Sequence, residues 1–138
     1  MLSVETIIEV KFTDADPLGI VWHGNYIKYF EEGREDFGKK YNCRYLDYYK
    51  HGFLVPIVDV QCKFKKPLQY GESAKLITTY KSCPAAKLIF EYTLTNLKND
   101  EISAIGSSTQ VFLFKETRMM SLINPDFFEL WKDKYLPK

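Results

Sequence analysis

The run from Asp14 to Tyr26, Asp-Ala-Asp-Pro-Leu-Gly-Ile-Val-Trp-His-Gly-Asn-Tyr, brings two carboxylates, a turn and a histidine to the foot of an amphipathic stretch. If that stretch is a helix, its start carries backbone N–H groups without intrahelical acceptors and a positive dipole potential. A carbonyl bound there is polarised, and a carboxylate one short loop away attacks it or activates a water. The chemistry to which this points is acyl transfer to water. Asp16 and His23 are the candidate catalytic residues, and the backbone N–H groups of His23 and Gly24 are the candidate oxyanion donors.

The neighbouring patterns show how such a loop is held. Residues 4 to 12 are rich in β-branched side chains and alternate loosely, which predicts a strand leading into the loop. From Asn25 onward, Tyr26, Tyr29, Phe30, Gly33 and Phe37 recur at spacings of three and four with charged residues opposite, which predicts a helix with one buried face. Gly33 on that face permits close approach of another backbone, and Glu35 with Lys39 forms a favourable i,i+4 pair. Residues 41 to 52 read as a short irregular or helical connection that could cover a ligand pocket, with Tyr45, Tyr48, Tyr49 and Phe53 as candidate lining.

Beyond Gly52 the period changes to two. Strands are expected over Phe53 to Lys66, Glu72 to Ser82, Lys87 to Leu97 and Ile102 to Lys115, with turn residues at Pro67 to Gly71, Cys83-Pro84 and Asn96 to Asp100. Asn124 is expected to N-cap a short terminal helix with Pro125 at its first position. One helix followed by antiparallel strands is an α+β layout in which the sheet curls around the helix to bury its apolar face.

The chain has 138 residues, fitting one domain over 1–138, and its 19 basic and 18 acidic residues leave a net charge of +1. That balance produces no global field for nucleic acid, so an anionic ligand must be held locally. Three cysteines without a CxxC or Cys/His cluster argue against a disulfide framework and structural zinc. The amino terminus lacks a basic start followed by an apolar core, and no apolar run approaches the ~18 residues that span a bilayer. A cytoplasmic protein with no membrane span is expected.

The pattern Asp14-x-Asp16-x-x-Gly19-x-Val21-x-His23-x-x-Tyr26, followed by Glu31 and Arg34, resembles the N-terminal signature of hotdog-fold thioesterases of the 4-hydroxybenzoyl-CoA type. The resemblance covers about the first quarter of the chain, and the later strands share only the pattern. It implies a hotdog fold: an antiparallel sheet of about five long strands wrapped around one central helix, with a small C-terminal helix. It implies an acyl-thioester hydrolase acting on acyl-CoA or acyl-carrier protein, with no cofactor, assembled as a homodimer or homotetramer with its site at a subunit boundary. Asp16 matches the catalytic carboxylate, and His23 matches the residue whose backbone N–H points at the thioester oxygen.

A thiol is a good leaving group, so the reaction requires neither a metal nor strong acid assistance. Asp16 either attacks the carbonyl to form an anhydride or deprotonates a water, and one oxyanion donor contributes roughly 3 to 4 kcal/mol in such a reaction. Asp14 reads as loop support, because one carboxylate suffices. Tyr26 and Trp22 are close enough to touch substrate. Lys65 and Lys66, with Lys63, Lys115 and Arg118, offer positive charge for coenzyme A phosphates, although lysines also protect strand edges. Glu31 and Arg34 read as an ion pair worth ~0.2 to 0.5 kcal/mol if exposed. Two alternatives share these residues: a thioesterase for acyl-carrier protein, and a non-catalytic module that binds acyl thioesters.

Overall fold

In a computed structural model that describes residues 2–136, the period-two segments form one antiparallel sheet. Strand β1 (Ser3–Glu9) precedes helix α1 (Asn25–Tyr41) and helix α2 (Tyr45–Lys50). Strands β2 (Phe53–Leu54), β3 (Ile57–Phe64), β4 (Ser73–Lys81), β5 (Lys87–Asn96), β6 (Ile102–Val111) and β7 (Leu113–Phe114) follow, and helix α3 (Asp126–Tyr135) ends the order. The five-stranded sheet runs β1-β4-β5-β6-β3, and β2 pairs with β7 in a separate ribbon. This is the hotdog arrangement, with α1 across the inner face of the sheet.

The apolar spacing of α1 becomes its buried side: Tyr26, Tyr29, Phe30, Gly33 and Phe37 all face inward. Opposite them the alternation of β5 buries Leu88, Phe90, Tyr92 and Leu94. Phe30 stacks on Tyr92 with ring centroids 4.2 Å apart and planes 5° apart. It also lies on Gly106, where an added Cβ would fall 2.4 Å from the ring. That close approach requires glycine. Gly33 differs from its expected role, because what meets it is not backbone but the side chains of Thr78 and Leu76 on β4.

Three boundaries also differ. The stretch from Phe53 to Lys66 is two strands rather than one, with Val55 and Pro56 between them, and proline cannot donate to a ladder. The stretch from Ile102 to Lys115 likewise breaks at Phe112, which is fully buried, before β7. Asn124 does not cap α3. Pro125 holds the cap position, and the Asn124 side chain donates to Glu129 at 2.8 Å. Helix α3 buries Phe128 and Trp131, and the Trp131 indole N–H donates to the carbonyl of Tyr41 at 2.7 Å, fastening α3 to the end of α1. Among the described residues no helix is long and apolar enough to cross a membrane.

Candidate active site

The loop between β1 and α1 is built around Asp14. Its side chain is 3% exposed and accepts the backbone N–H of Lys11 at 2.9 Å and the hydroxyl of Tyr29 at 3.0 Å. Its carbonyl accepts the N–H of Trp22 and the side-chain amide of Asn25, closing the loop onto the helix start. Burial, reinforced by the Asp14 carboxylate, raises the Tyr29 hydroxyl far above its usual range, so it remains a donor. Asp14 is therefore the clasp of the loop, in line with its reading as support.

Asp16 has the other environment. It is half-buried, and its side chain accepts one hydrogen bond, from the N–H of Leu18 at 2.8 Å, in an Asx-type turn. The turn closes through Gly19, whose N–H donates to the Asp16 carbonyl at 2.9 Å and whose φ of 80° suits glycine. The N–H of Asp16 donates to Ile20 at 2.8 Å, and that of Val21 donates to Leu68 at 2.8 Å, holding the turn against the segment after β3. The second oxygen of the Asp16 carboxylate has no protein donor among the described residues.

At the helix start the backbone donors divide into two groups. The N–H groups of Trp22, Asn25 and Tyr26 donate to the carbonyls of Asp14, Trp22 and His23. Those of His23 and Gly24 have no acceptor among the described residues. The Trp22 indole lies across Gly24 so closely that an added Cβ would fall within 2.8 Å of three of its carbons. Free donors, a glycine that admits them and a carboxylate with a free oxygen can polarise a carbonyl and present a nucleophile or base to it.

Of the remaining expected residues, Trp22 and His23 are exposed with ring centroids 5.0 Å apart, while Tyr26 is buried. Phe64 joins this group, 6.3 Å from His23 and 5.3 Å from Tyr26 by ring centroid. Nothing in the local pattern singles out Phe64, whose place follows from the β3–β6 register. Lys65 and Lys66 follow it directly, both donating backbone N–H groups to Ser103, and their side chains border a cavity of about 350 Å³ with Ile102 and Ile105. Lys63 pairs with Ile105 on the face away from α1. Lys115 lies over the Tyr49 ring at 4.3 Å.

The connection after α1 does border a cavity. Tyr45 and Tyr48 of α2 line about 320 Å³ together with Glu31 and Arg34, whereas Tyr49 and Phe53 point elsewhere. The expected Glu31–Arg34 pair is present at 3.8 Å, but the Arg34 side chain is only 14% exposed and also donates to the Tyr92 hydroxyl at 2.8 Å.

The family model of the Thioesterase-like superfamily matches residues 10–130. Among curated proteins, the Bacillus subtilis (strain 168) "Putative acyl-CoA thioesterase YneP" is 36% identical over 110 residues, covering 80% of this chain and 79% of that one. Among solved structures, the DHNA-CoA thioesterase of Staphylococcus aureus is 27% identical with a TM-score of 0.81, over 99% of this chain and 85% of that one. The 4-hydroxybenzoyl-CoA thioesterase of Pseudomonas sp. strain CBS-3 also superposes with a TM-score of 0.81, over 95% of this chain and 99% of that one. At 17% identity that last likeness is one of fold.

Proposed function

The chain belongs to the Thioesterase-like superfamily and is a thioester hydrolase, and on that premise we propose that it cleaves an acyl-coenzyme A to free acid and thiol with Asp16 as the reacting carboxylate. The observation that carries this reading is the pair of N–H groups at His23 and Gly24 without an acceptor among the described residues, in the same loop as a carboxylate whose second oxygen has no donor there. The thioester oxygen accepts from those two groups. Negative charge that develops on it in the tetrahedral intermediate is stabilised by donors already in place, where one such donor contributes roughly 3 to 4 kcal/mol. Asp16 attacks the carbonyl carbon, or takes a proton from the water that does, and the coenzyme A thiolate leaves. Trp22 and Tyr26, with Phe64, flank the acyl group.

Lys65 and Lys66 hold coenzyme A phosphates as point charges beyond Phe64. Trp22, exposed at the site, and Val58 and Phe64, exposed on the edge strand β3, support assembly as a homodimer or homotetramer, since large apolar side chains and an unpaired edge call for a partner.

A panel of acyl-CoA and matched acyl-carrier thioesters, hydrolysed by wild type and Asp16→Asn, tests the reading. Turnover by wild type and its near-complete loss in a folded Asp16→Asn protein are expected. Full activity of the variant would remove Asp16 from the reaction. A single turnover in ¹⁸O-labelled water then separates the routes: label in the Asp16 carboxylate marks nucleophilic attack, and label in the product acid alone marks the water route.

A further inference from the structure

Helix α1 carries more than the donors at its start. Ile27, Glu31 and Arg34, spaced by four and three, lie on one flank of it. That flank faces the β3 side of the sheet, because Arg34 donates to Tyr92 on β5 and borders a cavity whose wall includes Ile57 of β3 and Gln110 of β6. On β3, Val60, Cys62 and Phe64 pair with Ser108, Gly106 and Ala104, and Gly106 packs under Phe30, so these three side chains share the face turned to α1. The two ends of this flank differ in character. It is aromatic and apolar near His23, where Tyr26 and Phe64 meet, and polar at Arg34.

At the polar end, a guanidinium that is 14% exposed uses one N–H on the Tyr92 hydroxyl, which in turn shares a hydrogen bond with Ser108 at 2.5 Å. Its ionic partner Glu31 is loose, at 3.8 Å, and itself 66% exposed. Arginine has five N–H donors in a fixed fork, so donors remain for a ligand. The about 320 Å³ beside it is lined by two arginines, Arg34 and Arg44, and two glutamates, Glu31 and Glu35. The lining is charge-balanced, which suits a neutral oxygen better than a second carboxylate. From Asn25 to Arg34 the helix rises ~14 Å at 1.5 Å per residue, and the side chain leans back toward the helix start.

We propose that this cavity is the far end of the acyl-binding track and that Arg34, held by Tyr92, is the specificity-determining residue that selects acyl groups bearing a neutral hydroxyl at their far end. Arg34 donates to the hydroxyl oxygen, and Glu31 accepts its proton in a hydrogen bond. The inference rests on the acyl-CoA reading above.

The test compares straight-chain acyl-CoA, ω-hydroxyacyl-CoA and ω-carboxyacyl-CoA of six to ten carbons, with wild type, Arg34→Met and Arg34→Lys. For wild type, kcat/KM for the ω-hydroxy member of a length-matched pair is expected to exceed that of the plain member by about tenfold, the size of one hydrogen bond to a charged donor, mainly through KM. Arg34→Met brings the ratio near one, and Arg34→Lys restores part of it. The wild-type comparison stands without the variants: equal kcat/KM for the paired substrates overturns the proposal even if Arg34→Met fails to fold. A preference that persists in a folded Arg34→Met protein also overturns it, and so does an Arg34-dependent preference for the ω-carboxy series. Cleavage of an aromatic acyl-CoA such as benzoyl-CoA but of no member of the panel overturns the proposal alone, whereas wild type that cleaves neither defeats the acyl-CoA reading itself.

Discussion

Asp14 and Asp16 are chemically identical and two residues apart, yet replacing each by alanine is expected to produce opposite defects. In Asp14→Ala, the Tyr29 hydroxyl, on a residue 2% exposed, loses the acceptor it holds at 3.0 Å. A buried donor left unsatisfied costs about 1 to 3 kcal/mol, and the charged acceptor places this case in the upper half of that range. The N–H of Lys11 also loses its partner, but Lys11 is exposed and water replaces the carboxylate there. A loss of about 2 to 3 kcal/mol follows. For a chain of this length, 1 kcal/mol corresponds to a shift in Tm of about 3 °C, so a fall of about 6 to 9 °C is expected.

Asp16→Ala removes only an exposed turn bond to Leu18, worth about 0.5 to 1 kcal/mol, and moves Tm by at most about 3 °C while turnover collapses. Thermal unfolding by circular dichroism and kcat at a temperature where both variants are folded provide the two readouts. Tyr29→Phe combined with Asp14→Ala closes a double-mutant cycle, in which a coupling of about 1 to 2 kcal/mol is expected. A Tm for Asp14→Ala within about 2 °C of wild type, or a larger fall for Asp16→Ala, refutes the assignment of roles.

Gly106→Ala drives a Cβ to 2.4 Å from the Phe30 ring and 2.7 Å from the Gln61 carbonyl, and is expected to cost about 3 kcal/mol in chemical denaturation. Gly33→Ala drives a Cβ against the fully buried Thr78 hydroxyl and to 2.7 Å from Leu76, and a gain in helix propensity of up to about 1 kcal/mol offsets only part of that clash. Burial pushes the Cys43 thiol up to about 12, so its contribution to stability is present below the ordinary thiol pKa of ~8.5 and is lost as pH rises toward the folded value. Native protein at pH 8 should accordingly react with iodoacetamide at Cys62 and Cys83 well before Cys43, with urea abolishing the difference, and stability should fall on titration above about pH 9. Gly24→Ala displaces the Trp22 indole; in a Trp131→Phe background, which leaves Trp22 as the sole tryptophan, emission should shift while Tm changes little.

The order of elements, the buried face of α1, the buried alternation of β5 and the turn at Gly19 follow from residue type and spacing, because each is a local consequence of helical or strand period and backbone freedom. The Asp14 to Tyr26 run likewise places a carboxylate and two free donors at a helix start, and the resemblance it carries names the chemistry. Spacing along the chain is silent on contacts across it. The clasp between Asp14 and Tyr29 depends on how the loop folds back over the first turns of α1, while the packing of Phe64 against His23 and Tyr26 and the tether from Arg34 to Tyr92 depend on strand register and on how α1 lies across the sheet. Glu31 and Arg34 illustrate the limit: as helix neighbours they read as a surface pair, and only the sheet beside Arg34 makes it a largely covered cation facing a cavity while Glu31 stays exposed. Which residues stand at the start of α1 is legible along the chain, since it is set by the loop and the first turn; what lies along the rest of the helix emerges only when the sheet is assembled over it, since burial is a property of that packing.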